Sequence, residues 1–142
     1  MENTKLIDEL YKASKAGIVG IDNIKDEVED KGLLDLIQKQ NNYYEKFAKD
    51  MQKIAIDYDY QPKDINIFMK AGSFMESKMK TMMDDSNHTI AELMINGTKM
   101  GINQMNELIH EYEDCDKKLI NYAKEFKSKL EAFLNSLHDF VW

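Results

Sequence analysis

Two of the three histidines in this chain stand at helical spacing from a glutamate, and these pairs are its best candidates for chemistry. In "NELIHEY", Glu107 and His110 are three apart; in "SNHTIAEL", His88 and Glu92 are four apart. On a helix, either spacing puts both side chains on one face. An imidazole and a carboxylate on one face are two ligands for a transition metal such as Fe, Cu or Zn.

A Glu-x-x-His pair is also half of the ligand pattern of carboxylate-bridged di-iron bundles. Those need a second such pair and one further inward Glu on each of two other helices. The rest of the chain does not supply them. Glu9, Asp22 and Glu27 lie off the apolar line Leu10–Gly17–Ile24, and the position three after Glu45 is Ala48. The polar residue on that second apolar line is Gln40, a neutral amide, and Glu125 and Glu131 stand beside their line, not on it. Glu107 and His110 therefore read as an ordinary surface pair, and ferroxidase chemistry is not expected. His88 and Glu92 follow Met79, Met82 and Met83, whose thioethers could complete a soft metal site. The competing reading is that these methionines fill irregular gaps in a core. On one straight helix His88 and His110 would be about 33 Å apart, so they cannot share a site within it.

Nucleophilic constellations are missing. There is no Gly-x-Ser-x-Gly elbow, no Walker loop, no His-Glu-x-x-His and no Cys-x-x-Cys. Cys115, the single cysteine, sits in "EDCDKK", where carboxylates raise a thiol's pKa and work against a reactive thiolate. No catalytic residue and no cofactor is assigned, and the chain is not read as an enzyme. All 19 basic residues are Lys, which removes Arg-based bidentate recognition of phosphate. A net charge of −7 argues against nucleic acid or an anionic membrane as partner. The tyrosines Tyr43, Tyr44, Tyr58 and Tyr60 lack a basic stripe, so they do not suggest base stacking.

Composition sets the frame in which these pairs must be held. A chain of 142 residues with 43% apolar and 32% charged residues reads as one globular domain, 1–142. A lone cysteine, an N-terminus unlike a signal peptide and the lack of an eighteen-residue apolar run point to the cytoplasm and to no membrane span. One Pro and six Gly leave room for long helices. Apolar residues recur every three or four positions, and the stripes predict helices over 4–30, 32–59, 86–112 and 114–140. Gly32 suits the first turn, and Asp85, Ser86 and Asp114 are available as N-caps. A shorter helix over 62–83, starting at Pro62, is long enough to carry the chain back along a bundle. Two antiparallel hairpins joined by that crossover are favoured over an up-and-down five-helix array. Gly17, Gly20, Gly97 and Gly101 predict close packing of the 4–30 helix on the 86–112 helix, in preference to a ligand cavity.

The stretches "LIDELYKASKAGIVGIDNIKDEVEDKGLLDLIQKQNNYYEKFAKDM" and "MMDDSNHTIAELMINGTKMGINQMNELIHEYEDCDKKLINYAKEFKSKLEAFL" carry a resemblance to the small bacterial ferritin-like four-helix bundles of uncharacterised function. The Lys-, Asn- and Ile-rich composition also fits an AT-rich bacterial genome. The resemblance implies an all-α, ferritin-like four-helix bundle. Three roles follow as expectations. The first is a non-enzymatic bundle acting through protein contacts, with a homo-oligomer or protein partner. The second is a metal-binding or redox-related bundle using His88 with Glu92, or Glu107 with His110. The third is a structural bundle of the kind found in spore coats. The terminal "FLNSLHDFVW" is expected to dock on its own bundle.

Overall fold

The computed structural model describes residues 2–62 and 87–141. Four long helices make up nearly all of the described chain: α1 (Glu2–Ile24), α2 (Lys31–Asp57), α3 (Asn87–Glu111) and α4 (Lys117–Leu137). Single 3₁₀ turns, Lys25–Glu27 and His138–Phe140, follow α1 and α4. The helix expected over 62–83 and the caps Asp85 and Ser86 lie outside the described residues, apart from Pro62.

The helix ends differ from the sequence reading for local reasons. The α-helix predicted to reach residue 30 stops at Ile24, and the chain turns extended at Val28. Asp30, not Gly32, marks the turn: its carboxylate accepts a hydrogen bond from Leu33 N at 2.8 Å, capping α2. The fourth helix begins after Asp116 instead of Asp114. The Asp116 carboxylate does not cap it, because it accepts the Tyr58 hydroxyl at 2.6 Å.

Contacts between helices fix their directions. Gln52 Nε2 donates to Tyr11 Oη at 3.3 Å and Tyr44 lies against Gly17, so α1 and α2 form an antiparallel hairpin. Tyr58 meets Asp116, Phe47 meets Phe126 and Gly32 lies near Phe140, so α2 and α4 also run antiparallel. With Gly101 against Leu130 and a short loop at 112–116, α3 and α4 form the second hairpin. Hence α2 and α3 run parallel, and Pro62 and Asn87 lie toward opposite ends of the bundle. Asn3 Oδ1 accepts from Asp116 N at 3.0 Å and ties the start of α1 to the loop of the second hairpin.

The interior is filled by Leu6, Leu10, Ile21, Leu33, Phe47, Met51, Ile90, Met105, Phe126 and Leu130, each at most 3% exposed. Burial of each such side chain contributes about 1.5–3 kcal/mol. The stripe of the last helix runs Leu119, Ala123, Phe126, Leu130, Phe133, Leu137 and Phe140; the first six are buried on α4 and Phe140, beyond its end, is half-buried. On α2 the apolar spacing Leu33, Leu36, Gln40, Tyr43, Phe47, Met51 and Ile54 predicts the buried face, and the structure rotates it by one residue in places: Ile37, Tyr44 and Ala55 are buried, while Leu36, Tyr43 and Ile54 are only partly so. Phe140 packs half-buried against this core, so the described part of the C-terminal segment does dock on its own bundle.

The glycines correct one expectation. They do not seat α1 against α3. A Cβ on Gly17 would fall 2.6 Å and 2.7 Å from Tyr44 Cδ2 and Cζ, so this glycine makes room for the ring of its own hairpin partner. Gly101 likewise faces Leu130, within the second hairpin. No described atom lies within 4 Å of a Cβ at Gly20 or Gly97. Gly17→Ala is therefore expected to destabilise by about 1–3 kcal/mol through overpacking. Gly20→Ala should stabilise by about 1 kcal/mol through helix propensity alone. Urea unfolding of the two variants checks the pair, and shifts of the same sign would contradict the placement of Tyr44.

Candidate functional site

The interior shows what chemistry the bundle's centre can hold. Its buried polar residues, among those described, are Ser14, Gln40, Asn41, Thr89 and Thr98. None is a carboxylate or an imidazole, so these residues do not fit a di-iron centre, which needs six inward Glu and His ligands. Ser14 and Thr98 spend their hydroxyls on their own helices, donating to Tyr11 O at 2.7 Å and Met94 O at 2.6 Å. Asn41 Nδ2 donates to Glu45 Oε1 at 3.4 Å. Gln40 Nε2 and Asn41 Oδ1 are buried with no hydrogen-bond partner among the described residues.

Between the hairpins stands an aromatic cluster of Tyr43, Tyr44, Phe47, Tyr122 and Phe126. Phe126 is central: its ring lies 4.8 Å from Phe47 and 5.7 Å from Tyr44, centroid to centroid. Tyr43 donates to Glu125 Oε2 at 3.1 Å, and Lys129 Nζ lies 5.6 Å from its ring centroid. Burial, then the Glu125 carboxylate, hold the Tyr43 hydroxyl well above the usual phenol range. Burial pushes Tyr44 up to about 12. These phenols stay neutral and serve as packing and hydrogen-bonding groups.

At the end of the bundle, Glu2, Asn3, Glu111, Tyr112, Asp114 and Cys115 line an open depression. Partial burial raises the Cys115 thiol, and Glu2, Asp116 and Asp114 raise it further against the lowering by the N-terminus. The low reactivity expected from "EDCDKK" thus has a structural basis in desolvation as well as charge.

The four candidate metal-ligating residues all lie on α3. His88 Nε2 and Glu92 Oε1 are 3.2 Å apart, with side chains 47% and 53% exposed. Glu107 and His110 are exposed near the other end of the same helix. Each pair shares a face, but α3 does not bring the two pairs together. Among the described residues, no group of three or more His, Cys, Asp or Glu side chains could hold a metal ion. Met79, Met82 and Met83, weighed as further ligands of His88, lie outside the described residues.

Around these pairs the solvent face of α3 is low in charge. Between Glu92 and Glu107 its exposed positions are Asn96, Gly97, Lys99, Met100, Asn103, Gln104 and Asn106, with Lys99 alone charged. Met100 is 63% exposed, one of two strongly exposed large apolar side chains among the described residues; the other, Ile56, is at the end of α2. The exposed face of α2, by contrast, carries Asp35, Lys39, Glu45, Lys46, Lys49 and Lys53. Sequence reasoning missed this face because it looked for ligands and stripes. The signal was there in "INGTKMGINQMN", a stretch with Lys99 as its one charged residue in a highly charged chain.

No described helix is long and apolar enough to cross a membrane. Comparison with known proteins found no family model, no curated protein and no solved structure that matches this chain.

Proposed function

We propose that this chain is a non-enzymatic, ferritin-like helical bundle that acts through protein contacts, the first of them with a second copy of itself. The observation that carries the reading is the solvent face of α3, with exposed Met100 in a stretch where Lys99 is the one charged residue between Glu92 and Glu107. Copies with a net charge of −7 repel one another, and they meet at least cost where each presents little negative charge. The parallel course of α2 and α3 supports the ferritin-like connection, in which a long crossover joins two hairpins. An apolar and aromatic interior supports a structural rather than a catalytic role. A single cysteine, which cannot form a disulfide within the chain, accords with a bacterial cytoplasmic setting.

Light scattering on a size-exclusion column, with the full chain in chelator, tests this reading. The expected result is a mass that rises from monomer toward dimer as the concentration rises through the micromolar range. A monomer at every concentration counts against it. A second reading, metal binding, is favoured by the 3.2 Å approach of His88 to Glu92.

A further inference from the structure

The two candidate ligand pairs are arranged symmetrically along α3. His88 and His110 each lie eleven residues from Lys99, and Glu92 and Glu107 are equally far from the Lys99–Met100 bond. At about 100° per residue, His88, Glu92, Lys99, Asn103, Glu107 and His110 fall within an arc of about 100°. All six are exposed. One helix keeps the pairs about 22 Å or more apart along its axis, too far for a shared ion. A two-fold axis through the middle of α3 removes that separation.

We propose that two copies of the chain pair antiparallel through this face of α3 and close two equivalent transition-metal sites. Each site takes His88 and Glu92 from one copy and Glu107 and His110 from the other. The inference rests on the self-association proposed above and gives it a chemistry. Antiparallel pairing about the Lys99–Met100 bond sets Glu92 against Glu107 of the second copy and His88 within one residue of its His110. Asn96 then faces Asn103, and Lys99 lies beside Met100 of the second copy. Small side chains here permit the interaxial distance of about 8–10 Å of packed helices. The two Lys99 side chains near the axis turn their ammonium groups to solvent on long stems.

Charge and geometry both ask for a cation at this place. Without one, the dimer opposes two carboxylates at each end, a like-charge contact that destabilises. A divalent ion turns that repulsion into ligation. Two ligands at 2.0–2.1 Å on a tetrahedral zinc ion are about 3.3 Å apart. His88 Nε2 and Glu92 Oε1 are already 3.2 Å apart. Two imidazoles and two carboxylates form a set that suits Zn²⁺. Each chain alone presents only half of it, in line with the lack of a three-ligand group among the described residues.

Sedimentation equilibrium of the full chain with zinc chloride or with EDTA tests this. Zinc should tighten the dimer by about tenfold or more, with two ions bound per dimer. His88→Ala and His110→Ala should each abolish the zinc response and leave metal-free association and unfolding unchanged. His138→Ala, an exposed histidine off α3, should respond as the unmodified chain. Mixing the His88→Ala and His110→Ala chains should restore one zinc per heterodimer, because one site regains all four ligands. Zinc bound by the monomer without change of mass, or a mixture that restores nothing, overturns the inference. A dimer that zinc leaves unchanged overturns it too, yet leaves self-association standing. A chain that is monomeric with and without zinc overturns both.

Discussion

Replacing Phe126 by Ala is expected to cost about 3–5 kcal/mol, a large share of the roughly 5–15 kcal/mol that holds a domain of this kind folded. Phe126 is 2% exposed and touches the first hairpin through Phe47 at 4.8 Å, Tyr44 at 5.7 Å and Tyr43 at 6.0 Å between centroids. Truncation removes the transfer free energy of the ring and leaves a cavity lined by three other rings. Aromatic pairing adds about 0.5–1.5 kcal/mol per pair beyond area. The loss falls on the seam between the hairpins, since most other close contacts lie within one hairpin or the other. Chemical denaturation followed by circular dichroism measures it. A loss under about 1 kcal/mol would mean that the hairpins are not held together at this cluster.

Alkaline pH should loosen the same seam. Tyr44, 6% exposed, is raised to about 12 by burial. Tyr58 is also raised to about 12, by desolvation and by the Asp116 carboxylate it bonds at 2.6 Å. Tyr43 is raised by burial and by Glu125. In the unfolded chain these phenols ionise near their ordinary value of about 10. Between about pH 10 and 12 the unfolded state therefore sheds protons that the folded state keeps. Stability then falls as pH rises. The stabilisation is fully present below pH 10 and is lost as pH climbs through the folded values. For Tyr44 alone the loss by pH 12 is on the order of 2–3 kcal/mol. Unfolding free energies measured from pH 8 to 11.5 should be level and then decline, and Tyr44→Phe should flatten part of the decline. A level profile to pH 11.5 would contradict the burial of these hydroxyls.

Long-range periodicity made the helices legible in the sequence, and local chemistry decided where the reading slipped. On α4 the stripe from Leu119 to Leu137 keeps a regular spacing, with Ile120, Tyr122 and Leu134 only on its flanks, so its buried face could be read directly. On α2, Leu36, Ile37, Tyr43 and Tyr44 offer two adjacent apolar lines. Gly17 decides between them, because the space it leaves admits the ring of Tyr44. The same glycine was misread as a seat for α3, since a sequence shows that a residue is small without showing what fills the space. His88 with Glu92 and Glu107 with His110 were visible as pairs from spacing alone. Their common exposed face, and the low charge around Met100, needed the burial of Leu93, Met94, Thr98, Met105 and Leu108 on the opposite side of α3 to be known.

The central claim is that the α3 face around Met100 is a contact surface for a second copy. Light scattering of the unmodified chain beside Met100→Glu and Ile56→Glu tests it most directly, since both residues are exposed and neither change should disturb the core. The account predicts dimer mass for the unmodified chain and for Ile56→Glu at concentrations where Met100→Glu is monomeric, with all three giving the same far-ultraviolet circular dichroism. A Met100→Glu chain that keeps the dimer mass, or an Ile56→Glu chain that alone loses it, would contradict the account.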